Sequence, residues 1–339
     1  MKFDLSIVVP CYNVSSYLDR FFKCLESQLD ESISIEFVFV NDASTDSTID
    51  KLRQFAAVHN NVVIIDKATN QGISAARNSG MDIARGKWIT FPDPDDVIIG
   101  KGYYYLFHNF VAKDASLDAV SFEMDIVKEK DYKFSSDLRC EDGRLVWEGT
   151  GYDFFNHYHM GLCPTLLYRL DVIKQNKLLF ENYKVGEDSV FNTKFELKCN
   201  KVAKVTSKIY TYVLRNNSIT HSQSSSLIKE RISAEVDVAR FFYGLEKAST
   251  DITFSNRCLY YKKSFCGLAL GQVLRSNISI KEIKRFKNTL SELNVTYKPI
   301  YFIKSKESIK ARGQILLISF PLLLLVVRPL YKFIIRDRL

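Results

Sequence analysis

The chain has 339 residues, 46% of them hydrophobic and 25% charged, with a formal net charge of +8. That composition excludes a disordered or low-complexity chain, and the length admits one large domain with an appendage or two modest domains. The positive excess sits at the C-terminal end: residues 301–339 hold eight Lys/Arg against Glu307 and Asp337, the segment KEIKRFK at 281–287 adds a further excess of three, and residues 1–280 come to −1. A basic nucleic-acid-binding core is therefore disfavoured. The seven cysteines (Cys11, Cys24, Cys140, Cys163, Cys199, Cys258, Cys266) form no CxxC pair. An odd, scattered set points to reduced thiols in a cytosolic protein rather than a zinc site. The start, MKFDLSIVVP, reads as a strand and not as a signal peptide.

In chain order, Leu5–Val9 is predicted as a buried strand, and Tyr17, Leu18, Phe21, Phe22 and Leu25 recur at helical spacing. Ile33–Val40 is a second strand, followed by the polar turn Asn41–Asp46, with Ser47 placed to cap a helix running to about Val58. Asn61–Asp66, Ile73–Ala84 and Lys87–Phe91 follow as strand, helix and strand. This alternation implies a mostly parallel sheet covered by helices, with ligands outside the carboxyl ends of its strands. Pro10–Asn13, Asn41–Asp46 and Asp93–Asp96 should converge at that edge. Beyond it come a helix near Gly102–Val111, a strand at Asp118–Asp125, a helix near Tyr152–Met160, a helix opened by Gly186-Glu187-Asp188, and strands at Lys201–Val205 and Lys208–Leu214. Leu227–Leu245, Cys258–Leu274 and Lys281–Leu293 are helical. The division expected is a catalytic-type domain over 1–222, a helical region over 223–312 and a tail over 313–339.

Phe91-Pro92-Asp93-Pro94-Asp95-Asp96 carries the chemistry. Three carboxylates directly after a buried strand repel one another unless a cation or a set of donors compensates them. They are either a site for Mg²⁺ or Mn²⁺ bridging to phosphates, or a solvated acidic turn. In the tail, Ile315–Val327 is apolar apart from Ser319 and Pro321, and the stretch after it alternates apolar and basic residues. Thirteen helical residues span roughly 20 Å, short of a ~30 Å hydrocarbon core, so an in-plane or re-entrant anchor fits better than a span, with a buried core helix as the other reading. His157 and His159, an i,i+2 pair, point to different faces of a helix. Trp147, Tyr152, Phe154, Phe155 and Tyr158 read as core or cleft wall, and Tyr103, Tyr104 and Tyr105 as packing.

SIVVPCYN at 6–13, FVNDASTDST at 39–48, NQGISAARNSGMDIARGKWITFPDPDD at 70–96, GEDSVF at 186–191 and YVLRNNSITHS at 212–222 resemble, in this order, the family 2 inverting glycosyltransferases of GT-A fold. Ala43 stands where that family usually has Gly, and Pro94 where it has Ser or Ala; neither change removes a charged group. The resemblance implies that Asp42 hydrogen-bonds the base of a nucleotide-sugar, with a turn- or helix-capping acid as its other role. It places Pro10, Tyr12 and Asn13 on the nucleotide floor, and Arg77 and Asn78 on the helix after Gly72, where Arg77 faces the diphosphate or pairs with acids in the fold. Asp95 becomes the metal ligand, Asp93 a contact to ribose or metal, and Asp96 their support. His221 is a late ligand to metal or phosphate, and Arg215 reaches the diphosphate. Glu187 and Asp188 match the acidic pair that supplies the base, with Asp188 as that base and Glu187 orienting it or binding acceptor hydroxyls; both acids also suit a helix N-terminus.

Processive members of the family carry several membrane spans and a Gln-x-x-Arg-Trp motif, and neither Trp88 nor Trp147 has that context. The expectation is a nonprocessive enzyme, dependent on Mg²⁺ or Mn²⁺, that moves one sugar from a nucleotide-sugar, a UDP-sugar first, to a hydroxyl of a lipid-linked or oligosaccharide acceptor in O-antigen, capsule or exopolysaccharide synthesis. It would work from the cytoplasm, peripheral on the anionic inner face of the membrane, with no nucleic-acid partner. The alternatives are an inactive scaffold of the same fold and, last, a sugar nucleotidyltransferase, which would want a glycine- and arginine-bearing loop where Pro10–Asn13 stands.

Overall fold

The computed structural model describes residues 3–132, 140, 143–159, 162–215, 225–275 and 279–295. The chain divides into two units, Met1–Asn182 with Glu187–Ser218, and Tyr183–Gly186 with Ile219–Leu339. The expected tail over 313–339, His221 and Met160 lie outside the described residues.

The first unit opens with the expected alternation: β1 (Phe3–Cys11), α1 (Ser15–Glu26), β2 (Ile35–Asn41), α2 (Thr48–Val58), β3 (Val62–Asp66), α3 (Ile73–Ile83) and β4 (Gly86–Thr90). It continues through β5 (Val97–Ile98), α4 (Gly102–Leu106), β6 (Ala119–Lys128), β7 (Leu145–Gly149), α5 (Gly151–Tyr158), β8 (Leu166–Arg169), α6 (Leu170–Gln175), α7 (Glu187–Glu196) and β9 (Val202–Leu214). These strands form one nine-stranded sheet of order β3-β2-β1-β4-β8-β6-β9-β5, with β7 pairing to β9. β3, β2, β1, β4, β6 and β9 run one way; β8, β5 and β7 pair antiparallel and run the other. The sheet is mostly parallel, as the alternation implied.

Both faces are covered, which is why the central strands read as continuous apolar runs. Leu5, Ile7 and Val9 of β1 and Phe37 and Phe39 of β2 face α1 and α2, packing with Leu18, Phe21, Leu52 and Phe55. Val8, Val38 and Val40 face the other way, onto Ala76 and Met81 of α3, with Phe154, Phe191 and Phe195 in the same cluster. Phe154, Phe155 and Tyr103 are fully buried, and Trp147 and Tyr158 pack against the core from its margin.

Four details differ from expectation. Ser47 stands at the start of α2 but makes no side-chain cap bond; Asp46 accepts from the Thr48 N–H at 3.0 Å instead, and from the Ser15 N–H at 3.1 Å. The stretch expected as one helix over 102–111 is α4 followed by a wider π-type turn at Phe107–Val111. Lys201–Val205 and Lys208–Leu214 are one strand, β9, whose register against β6 slips between Ser121 and Met124. The polar pair Thr206-Ser207 at that bulge is what made it look like two. β5, β7, β8 and α6 carried no clear sequence signal.

The second unit holds α8 (Ser225–Ala248), α9 (Ile252–Arg275) and α10 (Ile280–Glu292). They pack through Val236, Ala239, Cys266, Leu270, Ile283, Phe286 and Leu290. α10 starts on a capping box in which Ser279 and Glu282 bond reciprocally. None of the seven cysteines is in a disulfide. Among the described residues, no helix is long and apolar enough to cross a membrane.

Gly80 is what lets α3 lie close on the sheet, since a Cβ there would come within 2.4 Å of Val8 Cγ1 and 3.2 Å of Val40 Cγ2. Val8 is β-branched and buried on a strand, so it has little freedom to yield. Gly80→Ala should cost about 1–3 kcal/mol of stability in urea unfolding, the usual penalty for overpacking, although alanine is the better helix former.

Candidate active site

At the carboxyl edge the chain leaves β1 into Tyr12-Asn13, β2 into Asp42-Ala43, and β4 into Phe91–Asp96. Asn13 (φ 53°) and Ala43 (φ 57°) both adopt left-handed backbone, which costs a non-glycine residue about 1–2 kcal/mol. Asparagine tolerates that region, whereas at position 43 a glycine would suit the backbone better than alanine does. The two loops brace each other: the Asn13 N–H donates to Ser44 Oγ (3.0 Å), and Asn13 Oδ1 accepts from the Thr45 N–H (2.8 Å). Tyr12 is 46% exposed at this rim.

Asp42 is buried, and its carboxylate accepts from the Gln71 N–H (3.1 Å to each oxygen) and the Gly72 N–H (2.7 Å), with Lys67 Nζ 2.9 Å from Oδ1. These bonds fasten the end of β2 to the entry of α3 at Gly72, whose φ of 89° suits glycine. The capping role is thus visible in the geometry, and any bond to a base must use what capacity remains.

Arg77 is the centre of the site. Its guanidinium is buried; Nη1 donates to Asp188 Oδ1 (2.5 Å) and Glu187 Oε1 (3.1 Å), and Nη2 to Asp93 Oδ1 (3.1 Å). The sequence left Arg77 between a diphosphate and an ion-pair role; the structure has it paired with three acids. Asn78, expected near the nucleotide, instead donates to the Phe180 carbonyl and accepts from the Phe180 N–H, both at 2.9 Å. These two bonds clamp the Phe180 backbone and use one N–H and one oxygen lone pair of the amide.

The acidic run separates into three environments. Asp96 is buried and accepts from Tyr210 Oη (2.7 Å) and the Val213 N–H (2.9 Å). Burial, then its neighbours Asp95 and Asp93, push its carboxyl up to about 8. Asp93 is pushed up to about 6 by burial against the pull of Arg77, with Asp95 and Asp188 adding to the rise. Asp95 is the open one: its side chain is 39% exposed, and Oδ2 accepts from Arg215 Nη1. Arg215 itself is buried, lies 4.4 Å over the Tyr17 ring, and leaves Nη2 without a partner among the described residues.

Glu187 and Asp188 occupy the first turn of α7, where the helix dipole favours negative charge. Asp188 Oδ2 also accepts from the Cys163 N–H (3.2 Å). Burial, then the adjacent Asp188, push the Glu187 carboxyl upward against the pull of Arg77. Deeper in the same helix, Glu196 Oε2 lies 2.6 Å from His159 Nδ1, and Ser189 Oγ lies 3.3 Å from Nε2. His157 instead meets the Asp153 carbonyl, so the HxH pair does diverge.

A divalent cation fits this set in part. Asp93 and Asp95 each keep one carboxylate oxygen that accepts no hydrogen bond among the described residues, and hard oxygens suit Mg²⁺ or Mn²⁺ with phosphate completing the shell. Among the described residues, no group of three His, Cys, Asp or Glu is placed to hold a metal; the expected third ligand, His221, lies outside them. Sequence reasoning missed Lys67 beside Asp42, Tyr210 beneath Asp93 and Asp96, Tyr17 under Arg215, and the Cys163 N–H. Lys67 directly follows β3 at the same edge, a signal that was there to use; the others arrive from elements paired far along the chain.

A mostly parallel sheet with helices on both faces and acids clustered at its carboxyl edge is the arrangement of a GT-A-type transferase. Residues 6–174 match the profile described as Glycosyl transferase family 2, and the chain carries a domain of that family. It is similar to the poly(ribitol-phosphate) beta-glucosyltransferase of Bacillus spizizenii, 29% identical over 63% of this chain, a match that spans only 32% of that longer protein. Its fold is like that of S. aureus TarS 1–349 in complex with UDP-GlcNAc (TM-score 0.60, 21% identity, 86% of this chain and 80% of that one). It is also like that of the mannosyltransferase PcManGT from Pyrobaculum calidifontis in complex with GDP-Man and Mn²⁺ (TM-score 0.54, 14% identity, 98% and 84%).

Asp96 gives a pH prediction. Its folded carboxyl titrates near 8 against an ordinary 3.8, so between those values the unfolded chain has lost a proton that the native state retains. Stability must then fall as pH rises through this window, by at most about 1.4 kcal/mol per unit. Asp96→Asn puts a neutral group there whose oxygen can still accept from the Val213 N–H, and it should gain stability relative to the wild type from pH 4 to pH 8. Urea melts in chelator at both ends check it; a difference that stays flat with pH contradicts the assignment.

Proposed function

We propose that this protein is a nonprocessive, inverting glycosyltransferase that moves one sugar from a UDP-sugar to a hydroxyl of a cell-envelope glycan acceptor, lipid-linked or polymeric. The observation that carries the reading is the ionic cluster in which the acid pair at the start of α7 and the acid at the end of β4 meet on one guanidinium. An acceptor-activating group and a donor-holding group would thereby face the same reacting centre.

In this reading Asp188 takes the proton of the acceptor hydroxyl as its oxygen bonds to the anomeric carbon. The bond from that carbon to the diphosphate breaks, and the nucleoside diphosphate leaves from the opposite face. Glu187, bonded to the same Arg77 nitrogen, orients the pair. Exposed Tyr12 offers a face for the nucleoside, Pro10 and Asn13 shape its floor, and Asp42 with Lys67 reads the base edge, one accepting and one donating. Nη2 of Arg215, without a partner among the described residues, is a donor for a diphosphate oxygen. A divalent ion at Asp93 and Asp95 would supply neutralisation of the leaving diphosphate. UDP-GlcNAc in TarS, GDP-Man with Mn²⁺ in PcManGT and the poly(ribitol-phosphate) acceptor named for the Bacillus relative support the substrate classes.

Asp188→Asn should abolish release of nucleotide from the donor, with UDP affinity by calorimetry unchanged. Asp95→Ala should weaken Mn²⁺-dependent UDP binding itself. A panel of UDP- and GDP-sugars with Mn²⁺ chooses the donor, and an absence of turnover across it favours an inactive scaffold.

The basic, apolar C-terminal stretch supports attachment to an anionic membrane surface, where each Lys or Arg contributes about 1 kcal/mol. Deleting residues 313–339 should move the protein from the membrane fraction to the soluble fraction on lysis; an unchanged membrane fraction rules out the tail as the anchor.

A further inference from the structure

We propose that Arg77 is a positioning residue that holds the acceptor-side base and the donor-side acid in register, so that both ends of the displacement are set by one rigid cation. The proposal rests on the reading of Asp188 as the base. Arg77 Nη1 bonds Asp188 and Glu187 on α7, and Nη2 bonds Asp93 after β4. Two nitrogens of one planar fork therefore tie together segments that lie 16 and 111 residues away in the chain.

The fork itself is held. Its Cζ lies 5.3 Å from the centre of the Phe180 ring, and Phe180 stacks on Phe191 at 3.9 Å. The Phe180 backbone is clamped on both its N–H and its carbonyl by Asn78, the residue next to Arg77. Helix α3 thus presents the guanidinium and fixes the floor beneath it with consecutive side chains.

An ion pair that served stability alone would need neither this fork nor three partners. Buried pairs are often replaced by apolar residues without loss, and one cation leaves three carboxylates undercompensated. What the arrangement secures is geometry. A lysine keeps the charge but presents a point donor that cannot span both sides. Misplacement of a catalytic group by an ångström typically costs about 100-fold in rate.

The test compares the wild type, Arg77→Lys, Phe180→Leu and Asp188→Asn in the full chain with Mn²⁺. The probes are UDP-glucose or UDP-N-acetylglucosamine, whichever the wild type turns over with water as acceptor, and UDP for calorimetry. Arg77→Lys should lower kcat by about 100-fold while the Kd for UDP stays within about threefold. A folded Arg77→Lys with near-normal kcat overturns the proposal, as does a parallel loss of UDP binding, which would make Arg77 a donor contact. If Arg77→Lys does not fold, Phe180→Leu decides, since it keeps the cation and all three acids and removes only the ring beneath them. A drop of about 10-fold in kcat at constant UDP affinity supports the proposal, and unchanged kcat overturns it. Turnover retained by Asp188→Asn marks failure of the base assignment instead.

Discussion

Five carboxylates at one edge of a sheet is the constraint from which the rest of this site follows. Asp93, Asp95, Asp96, Glu187 and Asp188 would repel each other strongly in a partly dry cleft, because burial weakens the solvent screening that keeps such charges apart. The fold answers in three ways. Two buried arginines supply charge, Arg77 to Asp93, Glu187 and Asp188, and Arg215 to Asp95. Burial and like-charged neighbours push the Asp96 and Glu187 carboxyls upward, toward their neutral forms. Oriented N–H and O–H groups, from Val213 and Tyr210 to Asp96 and from Cys163 to Asp188, supply dipoles. Each answer spends particular oxygens, and those left over define where a ligand can attach.

Much of this was legible because it is local. The βαβ alternation over residues 4–91 follows from runs of apolar residues long enough to show a period, and parallel order follows from the alternation. The convergence of the Pro10, Asp42 and Asp93 loops needs only the rule that such strands end at a common edge. What was not legible is non-local or short. β8 has four residues and is inserted between β4 and β6; nothing in Leu166–Arg169 announces two partners so far away in the chain. β5 has two residues and no period at all. Arg77 and Asn78 were placed on the correct helix, but their partners, Glu187, Asp188 and Phe180, come from elements whose docking is a tertiary fact. The residue types were readable and their allocation between ligand and scaffold was not.

Comparison with a buried acid at the other end of the sheet sharpens that allocation. Glu36, fully buried in β2, accepts from Ser6 Oγ (2.6 Å), the Arg85 N–H (2.5 Å) and Arg85 Nε (2.9 Å), with Arg85 Nη2 at 2.8 Å. A carboxylate has about four acceptor positions, and Glu36 uses them all within the fold. Such a group has nothing to offer a ligand. Asp42 approaches the same state, with Gln71, Gly72 and Lys67 around it, so a bond to a base would draw on the little acceptor capacity it has left. Asp95 is the opposite case, half-open and held on one oxygen. Asp93 lies between, with one oxygen on Arg77 and the other uncommitted. Unspent acceptor capacity, rather than acidity or position in a motif, is what separates carboxylates open to a ligand from those spent within the fold. By that measure Asp95 and Asp93 are the acids of this cluster with most room for a ligand, and the donor side proposed for the site rests on them, with Arg77 tying Asp93 to Asp188.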